Sequence, residues 1–134
     1  MQKKRKPSIT ISQTDHDRLL GLATAMEDRD PALADIMIGE LERARVVKDA
    51  ALPETVVRMG STLTYTADDG EPLTVTLVYP GEADIAEGKI SVATPVGTAL
   101  IGLSVGQTID WTARDGRVHR LTVTDIRRDE ASHG

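Results

Sequence analysis

Three carboxylates crowd one short stretch of this chain, where Glu27, Asp28 and Asp30 surround Arg29. Exposed carboxylates that keep some of their water are what a weakly held Mg²⁺ needs, so this is the one constellation in the sequence suited to metal chemistry. Acidic residues ahead of a helix also serve its dipole and solubility, and by themselves these three read as a solvated turn. The remaining chemistry-bearing residues are scattered. His16, His119 and His133 fall at a helix start, in a strand and near the C-terminus, a spacing that makes no metal cluster and leaves each expected to face solvent. Ser61, Ser91 and Ser104 have no nucleophile elbow or paired base nearby in sequence. The glycines of PVGTALIGLSVG are not a phosphate loop, because no GKS or GKT follows and each has a turn or packing explanation. No catalytic residue, metal site or cofactor is assigned on this basis, and an enzyme is not expected.

Composition narrows the class further. A chain of 134 residues makes one ordinary domain or a small domain with an appendage. Its 40% of hydrophobic residues suffices for a core, but with no Phe the large aromatics are Tyr65, Tyr79 and Trp111, so the core must be aliphatic. The absence of cysteine excludes a disulfide framework and thiolate chemistry. No apolar run is long enough to span a bilayer, and MQKKRKPS has no apolar segment behind it to make a signal peptide, so a soluble cytoplasmic protein without membrane contact is expected. A formal charge of −5 argues against general nucleic-acid binding, and no direct sequence-specific contact is expected. Acids outnumber bases ten to five between Asp15 and Glu54, behind a basic arm of Lys3, Lys4, Arg5 and Lys6 that reads as a solvated tail.

The elements that must position these residues show in period and punctuation. Ile90 to Trp111, ISVATPVGTALIGLSVGQTIDW, runs from strand to short helix to glycine turn to strand. Thr94 can cap that helix, Pro95 takes the first helical position, where no N–H is needed, and Gly102 suits a left-handed exit. Val96, Ala99, Leu100 and Leu103 form its apolar stripe; so short a helix does not hold alone in water and must lie on a sheet. Upstream, Ser8 to Ser12 is one extended segment. Thr14 opens a helix with Asp17 as a capping-box variant, and Leu19, Leu22, Ala23 and Met26 carry it for roughly fourteen residues. Asp30 and Pro31 start a second helix striped by Leu33, Ile36, Met37, Leu41, Ala44 and Val47. Two such helices should pack as a short antiparallel hairpin with a coiled-coil seam, reaching only about 20 to 27 Å.

Beyond Pro53 the period changes. Val56 to Arg58, Ser61 to Thr66, Leu73 to Val78, Lys89 to Val92, Thr108 to Thr112 and Arg117 to Asp125 read as strands, with hairpin turns at AspAspGly 68–70 and ArgAspGly 114–116. One helix among mainly antiparallel strands makes an α+β module. The expected organisation is a basic arm plus helical hairpin over 1–52, the α+β domain over 53–126 and a polar tail over 127–134.

IleSerVal at 90–92, ThrProVal at 94–96, AlaLeuIleGlyLeu at 99–103, ValGly at 105–106 and Trp111 resemble the C-terminal module of the bacterial Gre transcript-cleavage factors. Together with ValValArgMetGlySer at 56–61, LeuValTyrPro at 77–80 and GluLeuGluArgAla at 40–44, they resemble still more closely the Rnk family, the regulators of nucleoside diphosphate kinase. The resemblance implies an FKBP-like C-terminal fold, an antiparallel sheet with one short helix, behind a shortened hairpin. It implies a partner as well. Gre modules dock on RNA polymerase at the rim of the secondary channel, and their coiled coil carries tip carboxylates to the catalytic Mg²⁺. On this resemblance Ser91, Thr94, Pro95 and Val96 form the docking surface, with Thr94 standing where Gre factors usually have Ser, while Leu100, Ile101 and Leu103 belong to the core. Prolyl isomerase activity is not expected, since that pocket is walled with aromatics. The expected function is a monomeric, polymerase-binding transcription regulator whose hairpin is too short to stimulate transcript cleavage. The alternatives are a Gre-like cleavage factor acting through Glu27, Asp28 and Asp30, and an interaction module that regulates nucleoside diphosphate kinase levels.

Overall fold

Ser12, not Thr14, starts the first helix. The computed structural model describes residues 7–68 and 70–127; the basic arm, Asp69 of the first hairpin turn and the tail beyond Arg127, with His133, lie outside the described residues. Strand β1 (Thr10–Ser12) runs directly into α1 (Gln13–Met26), and the Ser12 hydroxyl accepts the Asp15 N–H at 3.2 Å. The expected Thr14–Asp17 start is thus corrected by two residues. Thr14 has a different partner, since its N–H and its hydroxyl both donate to the Asp49 carboxylate. The Asp15 carboxylate accepts the Met59 N–H at 3.1 Å, which ties the helix start to the segment that leads into the sheet.

Helix α2 (Pro31–Arg43) begins as expected, with Asp30 accepting the Leu33 N–H at 3.3 Å and Pro31 in the first turn. It ends short of the expected Val47. Ala44 takes an extended backbone (φ −74°, ψ 148°), and Arg45–Val47 becomes strand β2, paired in parallel with β1. The Arg45 N–H donates to the Ile9 carbonyl at 2.9 Å, so the partner strand captures the β-branched Val46 and Val47, the second of which the helical stripe had claimed.

Strands β3 (Thr62–Ala67), β4 (Leu73–Val78), β5 (Lys89–Ser91), β6 (Thr108–Thr112) and β7 (Val118–Arg127) form a five-stranded sheet in the order β5-β4-β3-β7-β6, and α3 (Pro95–Leu100) links β5 to β6. Neighbours are antiparallel except β4 and β5, which run parallel. The strand expected at Val56 to Arg58 reduces to a single bridge between Val56 and Ser104. Alternation sorts the faces: Leu63, Tyr65, Leu77, Ile109, Leu121 and Val123 are buried. On the other side threonine hydroxyls pair across strands, Thr62 with Thr76 and Thr64 with Thr74 at 2.8 Å, and Thr108 with Thr122 at 2.7 Å.

Leu19, Leu33, Met37 and Leu41 of the helices join Leu63, Leu77, Leu100 and Leu121 in one buried cluster with Ile9 and Ile11. It is aliphatic apart from Tyr65; Tyr79 and Trp111 are only partly buried at its margin. Each fully buried Leu or Ile contributes about 1.5–3 kcal/mol. β1 is held against the exit of α3, where Gly102 (φ +83°) accepts the Thr10 N–H at 3.1 Å. A Cβ on Gly102 would come within 2.9 Å of the Ile9 Cβ, so the approach itself requires glycine. Among the described residues no helix is long and apolar enough to cross a membrane.

Candidate functional site

The corner between β5 and α3 is built from short-range bonds that leave its outer side chains partly open. Thr94 donates its hydroxyl to the Ser91 carbonyl at 2.7 Å and accepts the Gly97 N–H at 3.0 Å, which closes the first turn of α3. Ser91 accepts the Ala93 N–H at 2.9 Å, and the buried Thr98 hydroxyl donates to the Val92 carbonyl at 2.8 Å. Gly97 makes the corner as tight as it is: a Cβ there would lie 2.2 Å from the Ser91 carbonyl oxygen and 2.8 Å from the Val92 Cα. Ser91, Thr94, Pro95 and Val96 are therefore brought together and partly exposed, while Gly97 to Leu100 are buried beneath them. Leu100, Ile101 and Leu103 are buried in the core, as expected. The corner holds no ionisable side chain. What it presents at its surface is hydroxyl and apolar side chains.

The acidic turn between α1 and α2 is not a set of equivalent carboxylates. Glu27 and Asp28 are exposed, but Asp30 is partly buried and uses both oxygens. Oδ1 caps α2 through Leu33, and Oδ2 lies 3.1 Å from the guanidinium of Arg114, in the β6–β7 turn. Among the described residues no group of three or more His, Cys, Asp or Glu side chains could hold a metal ion.

The described histidines depart from expectation. His16 and His119 are 23% and 28% exposed at their side chains, and each faces a carboxylate, Asp17 and Asp68 respectively. His119 donates to or accepts from Asp68 across β3 and β7, and its ring lies 5.0 Å from that of Trp111. Asp68, with φ +52°, also accepts the Arg120 N–H at 2.9 Å. The His119 hydrogen bond first, and then the Arg120 N–H, hold the Asp68 carboxyl below its usual pKa. These residues line a shallow cleft with Thr66, Asp110 and Thr122, where Arg120 pairs with Asp110 at 3.1 Å. No sequence spacing signals this cluster, because the strand register assembles it.

A helical N-terminal segment set against this sheet and corner is the architecture of the Gre class of transcription factors. Residues 52–128 match the family described as "Transcription elongation factor, GreA/GreB, C-term", and residues 7–47 match "Rnk N-terminus". Within that class the chain belongs to the Rnk family. It is 34% identical over 122 residues to the regulator of nucleoside diphosphate kinase of Escherichia coli (strain K12), covering 90% of each chain. It is 39% identical over 93 residues to the transcription elongation factor GreA of Sphingopyxis alaskensis, a match covering 66% of this chain and 58% of that protein. A solved structure, the prokaryotic transcription elongation factor GreA/GreB from Nitrosomonas europaea, is similar with a TM-score of 0.72 and 36% identity over 90% of this chain and 100% of that one. These relatives are named as a regulator and as transcription factors.

Proposed function

We propose that this chain is a non-enzymatic transcription regulator that binds RNA polymerase near the secondary channel. The observation that carries the reading is the Ser91–Val96 corner, ordered, partly exposed and inside the stretch that matches the GreA/GreB C-terminal family. In this reading residues 53–126 are an FKBP-like docking domain, 1–52 a basic arm with a short antiparallel helical hairpin, and 127–134 a polar tail. The protein acts as a cytoplasmic monomer without a cofactor.

Reach and charge separate this reading from transcript cleavage. Helices of 14 and 13 residues extend only about 20 Å, which suits a channel mouth better than a buried catalytic centre. Asp30 is already committed to its cap and to Arg114, which leaves Glu27 and Asp28 as the tip carboxylates without a partner among the described residues. The test is a pull-down with core RNA polymerase in competition with a GreA protein. Displacement supports a shared site; absence of binding, or binding that GreA cannot displace, overturns it. In the same assay, backtracked complexes should not shorten their RNA when the protein is added.

The name of the Escherichia coli relative favours a second reading, an effect on nucleoside diphosphate kinase. Kinase abundance and activity in cells with and without the protein separate a change in levels from a change in catalysis.

A further inference from the structure

Two separate parts of the chain hold the exit of α3. The segment just beyond Pro53 is one: the Gly102 N–H donates to the Val57 carbonyl at 3.0 Å, the Val57 N–H to the Leu103 carbonyl at 2.8 Å and the Val105 N–H to the Thr55 carbonyl at 2.9 Å. Strand β1 is the other, and its Thr10 N–H donates to the Gly102 carbonyl at 3.1 Å, between the buried Ile9 and Ile11. Gln107 fastens β1 a second time. Its Oε1 accepts the Ser104 N–H at 2.9 Å, and its Nε2 donates to the Ser8 carbonyl at 3.1 Å, a bond that closes 99 positions of sequence. β1 is tied in turn to the end of α2, where the Arg43 guanidinium donates to the Pro7 carbonyl and the Arg45 N–H to the Ile9 carbonyl.

A six-residue helix rises only about 9 Å and cannot keep its place unaided. The bonds at its start are local: the Thr94 hydroxyl accepts the Gly97 N–H, and the Thr94 carbonyl accepts the Thr98 N–H at 2.8 Å. They shape the first turn. What orients the helix on the sheet is its buried face together with its exit, and the exit is where β1 is fastened. We infer that β1 is a strap that sets the pose of the docking corner, with Gln107 the positioning residue that fastens it. A corner already held in its bound pose meets much of the ordering cost of binding before the partner arrives. The start of the chain thereby contributes to polymerase affinity through α3, whatever the reach of the two helices.

The inference rests on the reading of Ser91 to Val96 as the docking corner, and Gln107→Glu tests it in the full chain. A glutamate keeps one oxygen for the Ser104 N–H but sets the other against the Ser8 carbonyl, so the strap loosens while the turn at Ser104 persists. In the free protein, amide hydrogen exchange should rise at Thr10 and Gly102, and also at Gly97 and Thr98, whose N–H groups close the corner. Core RNA polymerase should bind the variant about fivefold more weakly, the lower end of the usual coupling between two sites. Arg114→Ala is the control, because it removes one exposed contact that involves neither β1 nor α3. It should leave both the exchange at Gly97 and Thr98 and the binding unchanged. Wild-type exchange at Gly97 and Thr98 in Gln107→Glu, wild-type binding by that variant, or equal effects from Arg114→Ala would overturn the strap and leave the docking reading standing. A wild-type chain that does not bind polymerase overturns the docking reading, and the strap falls with it.

Discussion

Asp30 and Arg114 join the turn between the first two helices to the β6–β7 turn, with Oδ2 3.1 Å from the guanidinium. Arg114 is 62% exposed, so the pair is worth less than about 1 kcal/mol and weakens with salt. Asp30 does more, because it also caps α2 through Leu33. Urea unfolding should therefore show a small, salt-sensitive loss for Arg114→Ala. Asp30→Ala should lose about 1 kcal/mol more at any salt concentration, the usual worth of an N-cap. Equal losses for the two variants would remove the cap from the account.

Gly97 sits where no side chain fits. Its Cβ would lie 2.2 Å from the Ser91 carbonyl oxygen, and backbone cannot swing aside as a flexible side-chain end can. Gly97→Ala should cost about 3 kcal/mol, at the upper end for overpacking, and should displace Ser91 and Thr94. Gly21 offers the control, since it is helical and a Cβ there meets nothing within 4 Å. Gly21→Ala should stabilise the chain by about 0.5–1 kcal/mol, the gain expected from Ala over Gly in a helix. Calorimetric melting of the two variants gives opposite signs if close approach, and not glycine's flexibility, is what position 97 requires.

Two exposed carboxylates make the fold sensitive to acid. Asp68 is held below its usual pKa by its hydrogen bond to His119 and then by the Arg120 N–H, and Asp49 by the Thr14 hydroxyl and then the Thr14 N–H. Both titrate lower in the folded chain than in the unfolded one, so folding favours their ionised form. Their contribution is complete above the unfolded value, about 3.9, and is lost as pH falls through the folded one. Stability measured from neutral pH down to strong acid should fall less steeply for Asp68→Asn and Asp49→Asn than for the wild type. Variants that match the wild-type slope would place the acid response elsewhere.

What could be read in the sequence was local. Asp30–Pro31 and Thr94–Pro95 announce helix starts by residue type alone, and both caps form as expected. Thr108 to Thr112 is bounded correctly by its turns, and Leu100 and Leu103 follow the stripe that buries them. Apart from His16, which faces its neighbour Asp17, the misreadings turn on partners distant in sequence. Thr14 is taken up by Asp49, so Ser12 caps α1; Arg45 is taken up by Ile9, so α2 stops early. His119 finds Asp68 only through the β3–β7 register. At the candidate site, residue types predicted the cap, whereas a docking role came from resemblance, because a corner without ionisable groups carries no chemical signature of its partner.

Thr94 allows fold and docking to be separated. Its hydroxyl both donates to the Ser91 carbonyl and accepts the Gly97 N–H, and a serine hydroxyl can do the same. Thr94→Ser should therefore keep stability within about 0.5 kcal/mol, as substitutions that keep such features do, and should keep polymerase binding. Thr94→Ala should lose about 1 kcal/mol with the cap and weaken binding, since the corner then frays. Val96→Asp supplies the complementary case, because Val96 is partly exposed yet packs against the core, so a charge there costs some stability while it removes the contact. It should melt below the wild type but remain folded at the assay temperature, and should fail to compete with GreA for core polymerase. If Val96→Asp competes as well as the wild type, Val96 lies outside the contact, and docking must use another face of the domain.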